Sequence, residues 1–306
     1  MPMPHRTQMT LIKRRLVGKD GAERVRELRG ILSELPNYKN GPYADIRKWV
    51  LGELDATRSR ARVVSRDSIA VRHEGAAQIA LVGPPNAGKS SLLHALSDVQ
   101  IKIGNYAFTT LRPVPALVRI DGVLVQFVEI PGLLQGANDD AGGGRAYLGV
   151  LREADAIVYC QDATASPDNL RSVMGEVARA GIERPALLAL TKFDDGGADA
   201  VARFGTIFPG LPMVPTSVLD HASLAGLKAA AWRLTGLIRV FVRGGGDPFA
   251  LPTGSTVLDV AGAIHSDLVR DFRGARVWGP SARFEGQRVG RDHVVQEGDT
   301  IEVLTG

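Results

Sequence analysis

Residues 83–90 read GPPNAGKS, two glycines around four residues, then a lysine and a serine, between an apolar run at 78–82 and a helical stretch. The spacing G-x-x-x-x-G-K-[ST], placed between a strand and a helix, is built for polyphosphate. Gly83 and Gly88 let the backbone turn, so that its N–H groups line a phosphate-sized hollow at a helix N-terminus. Lys89 would place its charge on the β- and γ-phosphates, and the Ser90 hydroxyl would ligate Mg²⁺.

Other segments carry matching chemistry. TKFD (191–194) closes an apolar run, at the carboxyl edge where doubly wound sheets bind ligands. Asp194 can accept from N1–H and the exocyclic amine of guanine, a donor pair that adenine lacks, while the stem of Lys192 lies over the base. TSV (216–218) ends the next run, and its N–H groups and Ser217 are candidates for the guanine carbonyl. In NYAFTTLRP (105–113) a threonine hydroxyl can complete the Mg²⁺ shell while its N–H meets the γ-phosphate. Thr110 is the first choice and Thr109 the second. FVEIPGLLQG (127–136) ends a strand on Glu129, where phosphate switches usually hold magnesium with Asp, and puts Leu133 where many carry a water-orienting Gln.

The surrounding pattern says what positions these residues. Short apolar runs near 78–82, 115–120, 123–129, 156–161, 186–191 and 213–216 alternate with helical stretches near 89–97, 145–153, 169–180 and 223–237. Asp121-Gly122 reads as a tight hairpin turn. The α/β alternation predicts a doubly wound, mostly parallel sheet covered on both faces, with one antiparallel edge pair. Before it, 11–35 and 45–64 carry apolar residues at helical spacing around PNYKNGP, a two-helix segment. After it, roughly 70 residues with strand, helix and late strands suggest a small α+β domain. The expected domains are 1–75, 76–236 and 237–306.

At 306 residues, 44% hydrophobic and 23% charged, the composition is that of a globular protein. No apolar run approaches the roughly 18 residues of a membrane span, and the first ten residues lack a signal peptide's apolar stretch, so the expectation is cytoplasmic with no membrane partner. The single cysteine, Cys160, lies in the apolar run AIVYC and reads as a buried thiol. The six histidines never stand at metal-ligand spacing. Residues 1–73 hold 16 lysines and arginines against 8 acids, whereas the whole chain nets only +4. A basic arm on a mildly acidic body fits either an anionic partner such as RNA or a solvated helix surface. The aromatics of the last 70 residues, Phe241, Phe249, Phe272, Trp278 and Phe284, are scattered and read mostly as core.

GPPNAGKSSLL, YAFTTLRP, EIPGLLQGA with GGGR after it, TKFD and TSV together resemble the Obg/DRG family of translation-associated GTPases, the DRG branch above all. Residues 238–306 resemble a TGS domain, a small ubiquitin-like (β-grasp) module, and LPNYKNGPYADIRKWVLGEL is similar to the helical segment before the DRG core. The resemblance implies a P-loop GTPase binding GTP and GDP with Mg²⁺, a slow switch working with the ribosome or RNA, and a DRG-type protein partner; no DNA is expected. The alternative is a guanine-nucleotide sensor or adaptor with degenerate hydrolysis that binds a partner or RNA through its TGS domain, where RNA binding rests on the family resemblance alone. The implied nucleotide set is Gly83, Pro84, Pro85, Asn86, Ala87, Gly88, Lys89, Ser90 and Ser91, then Phe108, Thr109 and Thr110, then Glu129, Pro131 and Gly132, then Thr191, Lys192 and Asp194, and finally Ser217 and Val218. Lys89, Thr110 and Asn86 would carry catalysis. Ser90 and Thr110 would ligate Mg²⁺, with Glu129 acting through a water. Asn86 resembles the residue that ligates K⁺ in potassium-activated GTPases, or it is a turn former. Arg145, after the glycines, is either an arginine finger in cis or a solvent-facing helix start. The chain departs from the family at Glu129 in place of Asp, at Thr191 in place of Asn, and in leaving only some 30 residues between the fourth strand and Thr191, too few for the extra domain DRG proteins insert in this region.

Overall fold

The structure is a computed structural model that describes residues 5–16, 19, 21–35, 41–66, 71–97, 112–131, 137–139 and 144–306. The chain divides into two compact units, Met1–Ser68 and Ile69–Gly306.

The first unit holds three helices where two were expected: α1 (His5–Arg15), α2 (Gly21–Glu34) and α3 (Pro42–Arg66). The apolar periodicity continues from α1 into α2, which is why the two read as one. Leu28, Ile31, Ile46 and Val50 close their shared core. Part of the basic charge is paired inside the unit, Arg15 with Glu27 and Glu34, Lys19 with Glu27, and Arg24 with Glu53. These ion pairs fit the solvated-surface reading of the charge run. Among the described residues no helix is long and apolar enough to cross a membrane.

The second unit begins with the doubly wound sheet. Its elements are β1 (Gln78–Val82), α4 (Lys89–Leu96), β2 (Val114–Ile120), β3 (Val123–Glu129), α5 (Gly144–Glu153), β4 (Ala156–Asp162), α6 (Asp168–Arg179), β5 (Ala186–Thr191), α7 (Phe193–Ile207), β6 (Met213–Pro215) and α8 (His221–Leu234). The strand order is β2-β3-β1-β4-β5-β6. Only the β2–β3 pair is antiparallel, and its turn is Asp121-Gly122, both at positive φ. Leu92 and Leu93 of α4 and Leu224 and Leu227 of α8 cover one face. Leu148 and Leu151 of α5, Leu170 and Val173 of α6, and Ala200 and Phe204 of α7 cover the other. All of β1 is buried, as a central parallel strand requires. Helix α7 went unread in the sequence because its first turns are FDDGG, a loop-like start; burial of Ala200 and Phe204, one turn apart, overrides that local preference.

A mixed five-stranded sheet follows, ordered β10-β9-β11-β7-β8, from β7 (Leu237–Val242), β8 (Phe249–Pro252), β9 (Phe272–Trp278), β10 (Gln287–Val289) and β11 (Thr300–Thr305). Helices α9 (Val257–Ile264) and α10 (Ser266–Arg270) lie between β8 and β9, and a capping box between Thr256 and Asp259 starts α9. Val257 and Val260 of α9 pack on Val240, Val277 and Ile301. This second sheet meets the first through Arg239. Its guanidinium pairs with Asp121 in the β2–β3 turn and, at 2.5 Å, with Glu297, and it lies 5.3 Å over the Trp232 ring of α8. Arg119 adds a bond to Asp247 at 3.2 Å. Arg239→Ala removes the shared partner of two carboxylates and bares the tryptophan face; urea unfolding is expected to show a loss of about 2 kcal/mol.

Candidate functional site

The carboxyl ends of β1, β3, β4, β5 and β6 converge on one edge, and the sequence-selected residues stand there. Val82 ends β1 and the chain turns immediately. A Cβ on Gly83 would come within 2.2 Å of the Cys160 carbonyl on β4, so this position needs glycine for closeness. Gly88 needs it for conformation, at φ 77° as the residue before α4. Asn86 is also left-handed, at φ 61°, so the turn-former role is met whatever else its exposed side chain does.

Lys89 starts α4 and is only 6% exposed. Its ammonium donates to the carbonyls of Gly83 at 2.9 Å and Pro84 at 2.8 Å. Burial pushes its pKa below the ordinary lysine value, and the nearby Cys160 and Glu129 only partly offset this. Burial pushes the Cys160 thiol up to about 12, so it is uncharged near neutrality and Glu129 is the anion that Lys89 feels.

Ser90 donates its hydroxyl to Glu129 Oε1 at 2.6 Å. The extra methylene of glutamate therefore does not carry the carboxylate away from the serine. Two hard oxygen ligands, one charged, meet at the mouth of a cavity of about 490 Å³ lined by Asn86, Ala87, Gly88, Lys89, Ser90, Ser91, Glu129 and Lys192. This donor set fits Mg²⁺, for which Ser90 and, through a water, Glu129 would be the share of the described residues, the ion neutralising phosphate oxygens when bound. Among the described residues no group of three or more His, Cys, Asp and Glu side chains is placed to hold a metal.

Thr191 ends β5, and its buried hydroxyl donates to the Ala87 carbonyl at 2.8 Å, with the Gln161 carbonyl 3.0 Å away. It ties the guanine-motif strand to the phosphate turn and to β4, a bracing job for which a hydroxyl suffices in place of the family's amide. Lys192 sits at φ 51° just before α7, and its ammonium bonds Asp162 of β4 at 2.6 Å. Burial pushes the Asp162 carboxyl up, but bonds from Lys192 and Thr164 outweigh it and hold the group below its usual range. Asp162 escaped the sequence reading, although its place at the end of an apolar strand was a usable signal. Asp194 stands exposed in the first turn of α7. The Phe193 N–H, 3.4 Å from the Thr216 carbonyl, joins this loop to TSV. The Ser217 N–H donates to Ser223 Oγ in the first turn of α8 at 3.0 Å, so of the TSV amides offered to guanine that one is already engaged, while Val218 is exposed.

Phe108, Thr109, Thr110, Gly132 and Leu133 lie outside the described residues. Pro84, Pro85 and Pro131 occupy the expected loops, with Pro131 directly after Ile130, whose N–H donates to the Leu81 carbonyl at 3.0 Å. Past that segment Asn138 is fixed: its amide donates to the buried Glu176 carboxylate of α6 at 2.8 Å. Arg145 donates to the Asn138 carbonyl at 3.1 Å, so it braces this same turn. Neither Glu176 nor Asn138 was singled out in the sequence, and nothing local marks them. Calorimetric titration of GTP with and without Mg²⁺ checks the carboxylate. Glu129→Ala is expected to lose about ten- to a hundredfold in Mg²⁺-dependent affinity. Glu129→Asp should stay within roughly threefold, and a gain near a hundredfold would contradict the fit.

Comparison with known proteins places these features. Residues 78–192 match the family described as 50S ribosome-binding GTPase, and residues 238–305 match the TGS domain. An uncharacterized GTP-binding protein of Methanocaldococcus jannaschii is 28% identical over 91% of this chain and 92% of its own length. Developmentally-regulated GTP-binding protein 1 of Xenopus laevis is 26% identical over 76% of this chain and 84% of its own. The GTPase Obg of Rubrobacter xylanophilus is 41% identical, over 44% of this chain and 34% of its own. Among solved structures, the G domain of the T. maritima FeoB iron transporter aligns with TM-score 0.44 at 22% identity, covering 52% of this chain and 98% of that one.

Proposed function

We propose, on the premise that this chain is a GTPase of the Obg/DRG type with a C-terminal TGS domain, that it works as a slow GTP-driven switch in translation or ribosome function. The observation that carries the nucleotide half is the meeting of Ser90 and Glu129 beside the buried Lys89 at the end of β1. Asp194 gives the preference for guanine. The switching half draws on Glu129, which ends β3 against Ser90, and on Ile130, whose N–H is held by β1. The ribosomal half draws on the family matched by residues 78–192.

Leu133 cannot orient water, so the charge that speeds hydrolysis has to come from elsewhere. Arg145 is engaged by the Asn138 carbonyl. A partner's arginine and a potassium ion held by Asn86 are the remaining sources. Turnover of GTP is expected to be at least about tenfold faster in K⁺ than in Na⁺, and equal rates would remove the potassium. For the ribosome, co-sedimentation is the test, with a GTP analogue, with GDP and without nucleotide. Binding that depends on the triphosphate supports the switch. Absence of the protein from every ribosomal fraction sinks the translation reading and leaves the second one, a guanine-nucleotide sensor that docks another partner.

A further inference from the structure

Lysine is a poor local choice for the place that Lys192 occupies. Its backbone sits at φ 51° and ψ 39°, a left-handed conformation that disfavours long side chains, and it stands at the N-terminal end of α7, where the helix dipole disfavours a cation. Two local penalties at one residue are tolerated where the side chain serves a site. This side chain lines the phosphate cavity with Asn86, Gly88 and Lys89.

Asp162 offsets the charge penalty. Its carboxylate, only 15% exposed, accepts from the Lys192 ammonium on Oδ2 at 2.6 Å. The other oxygen, Oδ1, accepts from the Thr164 N–H at 2.8 Å and from the Thr164 hydroxyl at 2.7 Å. Those two bonds fix the carboxylate independently of the lysine, so Oδ2 is presented in a set direction. Register does the rest: Asp162 of β4 is paired with Thr191 of β5, the residue directly before Lys192, and Thr191 is itself tied to the Ala87 carbonyl. Lys192 thus starts from one fixed point and ends on another, with its methylene stem stretched between them. Ordering a free lysine over a base costs side-chain entropy, and a lysine held at both ends has lost that freedom before nucleotide arrives.

We propose that Asp162 is a positioning residue for nucleotide binding: it holds the Lys192 side chain stretched, so that its stem forms one wall of the base site and slows the escape of guanine nucleotides. The stem meets the face of the base and not the phosphates. Its contribution is therefore the same for GTP and GDP and independent of Mg²⁺, while choice of base stays with Asp194. The inference rests on the guanine reading above, which gives Lys192 its place over the base.

Asp162→Asn isolates the contact, because an amide oxygen still accepts from Thr164 while the amide nitrogen offers the ammonium neither charge nor acceptor. The full chain, loaded with GDP or GTP carrying an N-methylanthraniloyl fluorophore, is mixed with excess unlabelled nucleotide in a stopped-flow fluorimeter. Release from the variant is expected about tenfold faster than from the wild type for both nucleotides, with association within about twofold and an unchanged ratio of affinities with and without Mg²⁺. Lys192→Met, at the more exposed end of the pair, removes the charge that Asp162 holds and is also expected to speed release. Adding Asp162→Asn to it is expected to change nothing further. Wild-type release rates in either single variant overturn the inference, as do effects that multiply in the double variant or a loss confined to GTP or to Mg²⁺. Competition in the wild type separates this from the reading beneath it. If ATP displaces the labelled GDP as well as GTP does, the guanine assignment alone falls; if GTP is preferred and Asp162→Asn releases at the wild-type rate, the positioning role alone falls.

Discussion

A lysine ammonium held almost out of water is the constraint around which the GTPase half is arranged. Lys89 has two backbone carbonyls for company and feels the Glu129 carboxylate, but burial still pulls its pKa down. An unpaired charge in that position is expensive, and a pair of opposite charges at 4 Å is worth about 4 kcal/mol at an effective dielectric near 20. A triphosphate supplies several such pairs at once. The turn that holds the lysine exists only because Gly83 can press against the Cys160 carbonyl, and therefore only because β1 and β4 are neighbours in the sheet.

The remaining strand ends support that arrangement from a distance. Thr191 links β5 to the turn and to β4, Lys192 links it to Asp162, and Ser90 links α4 to β3. Each bond crosses between elements, so the site is as rigid as the sheet. The β2–β3 hairpin has two loaded ends. Glu129 at one faces the cleft, and Asp121 at the other holds Arg239 of the second sheet. A shift of this hairpin has a physical route to both domains.

How much of this could be read beforehand follows from how local each signal is. The phosphate turn, the guanine motif and most strands are written in contiguous residues with strong periodicity, and the fold class follows from their alternation. Helix α7 hides behind FDDGG, and the junction of α1 with α2 hides inside one continuous apolar period. The bracing role of Thr191 needs Ala87, more than a hundred residues earlier, to be beside it. That Phe241 and Trp278 both pair with Thr300 is set by strand order, which no window along the chain contains. Glu129 was legible as a departure, but only the register of β3 against β1 reveals that its carboxylate still reaches Ser90.

The central claim is that this cleft cleaves GTP, slowly and through its metal shell, with no water-orienting glutamine. Single-turnover hydrolysis of γ-labelled GTP, with protein in excess, addresses it most directly. The account predicts slow release of one phosphate per GTP in Mg²⁺, none when the metal is chelated, and acceleration when ribosomes are added. GTP that stays intact in Mg²⁺, with ribosomes and without them, would contradict it.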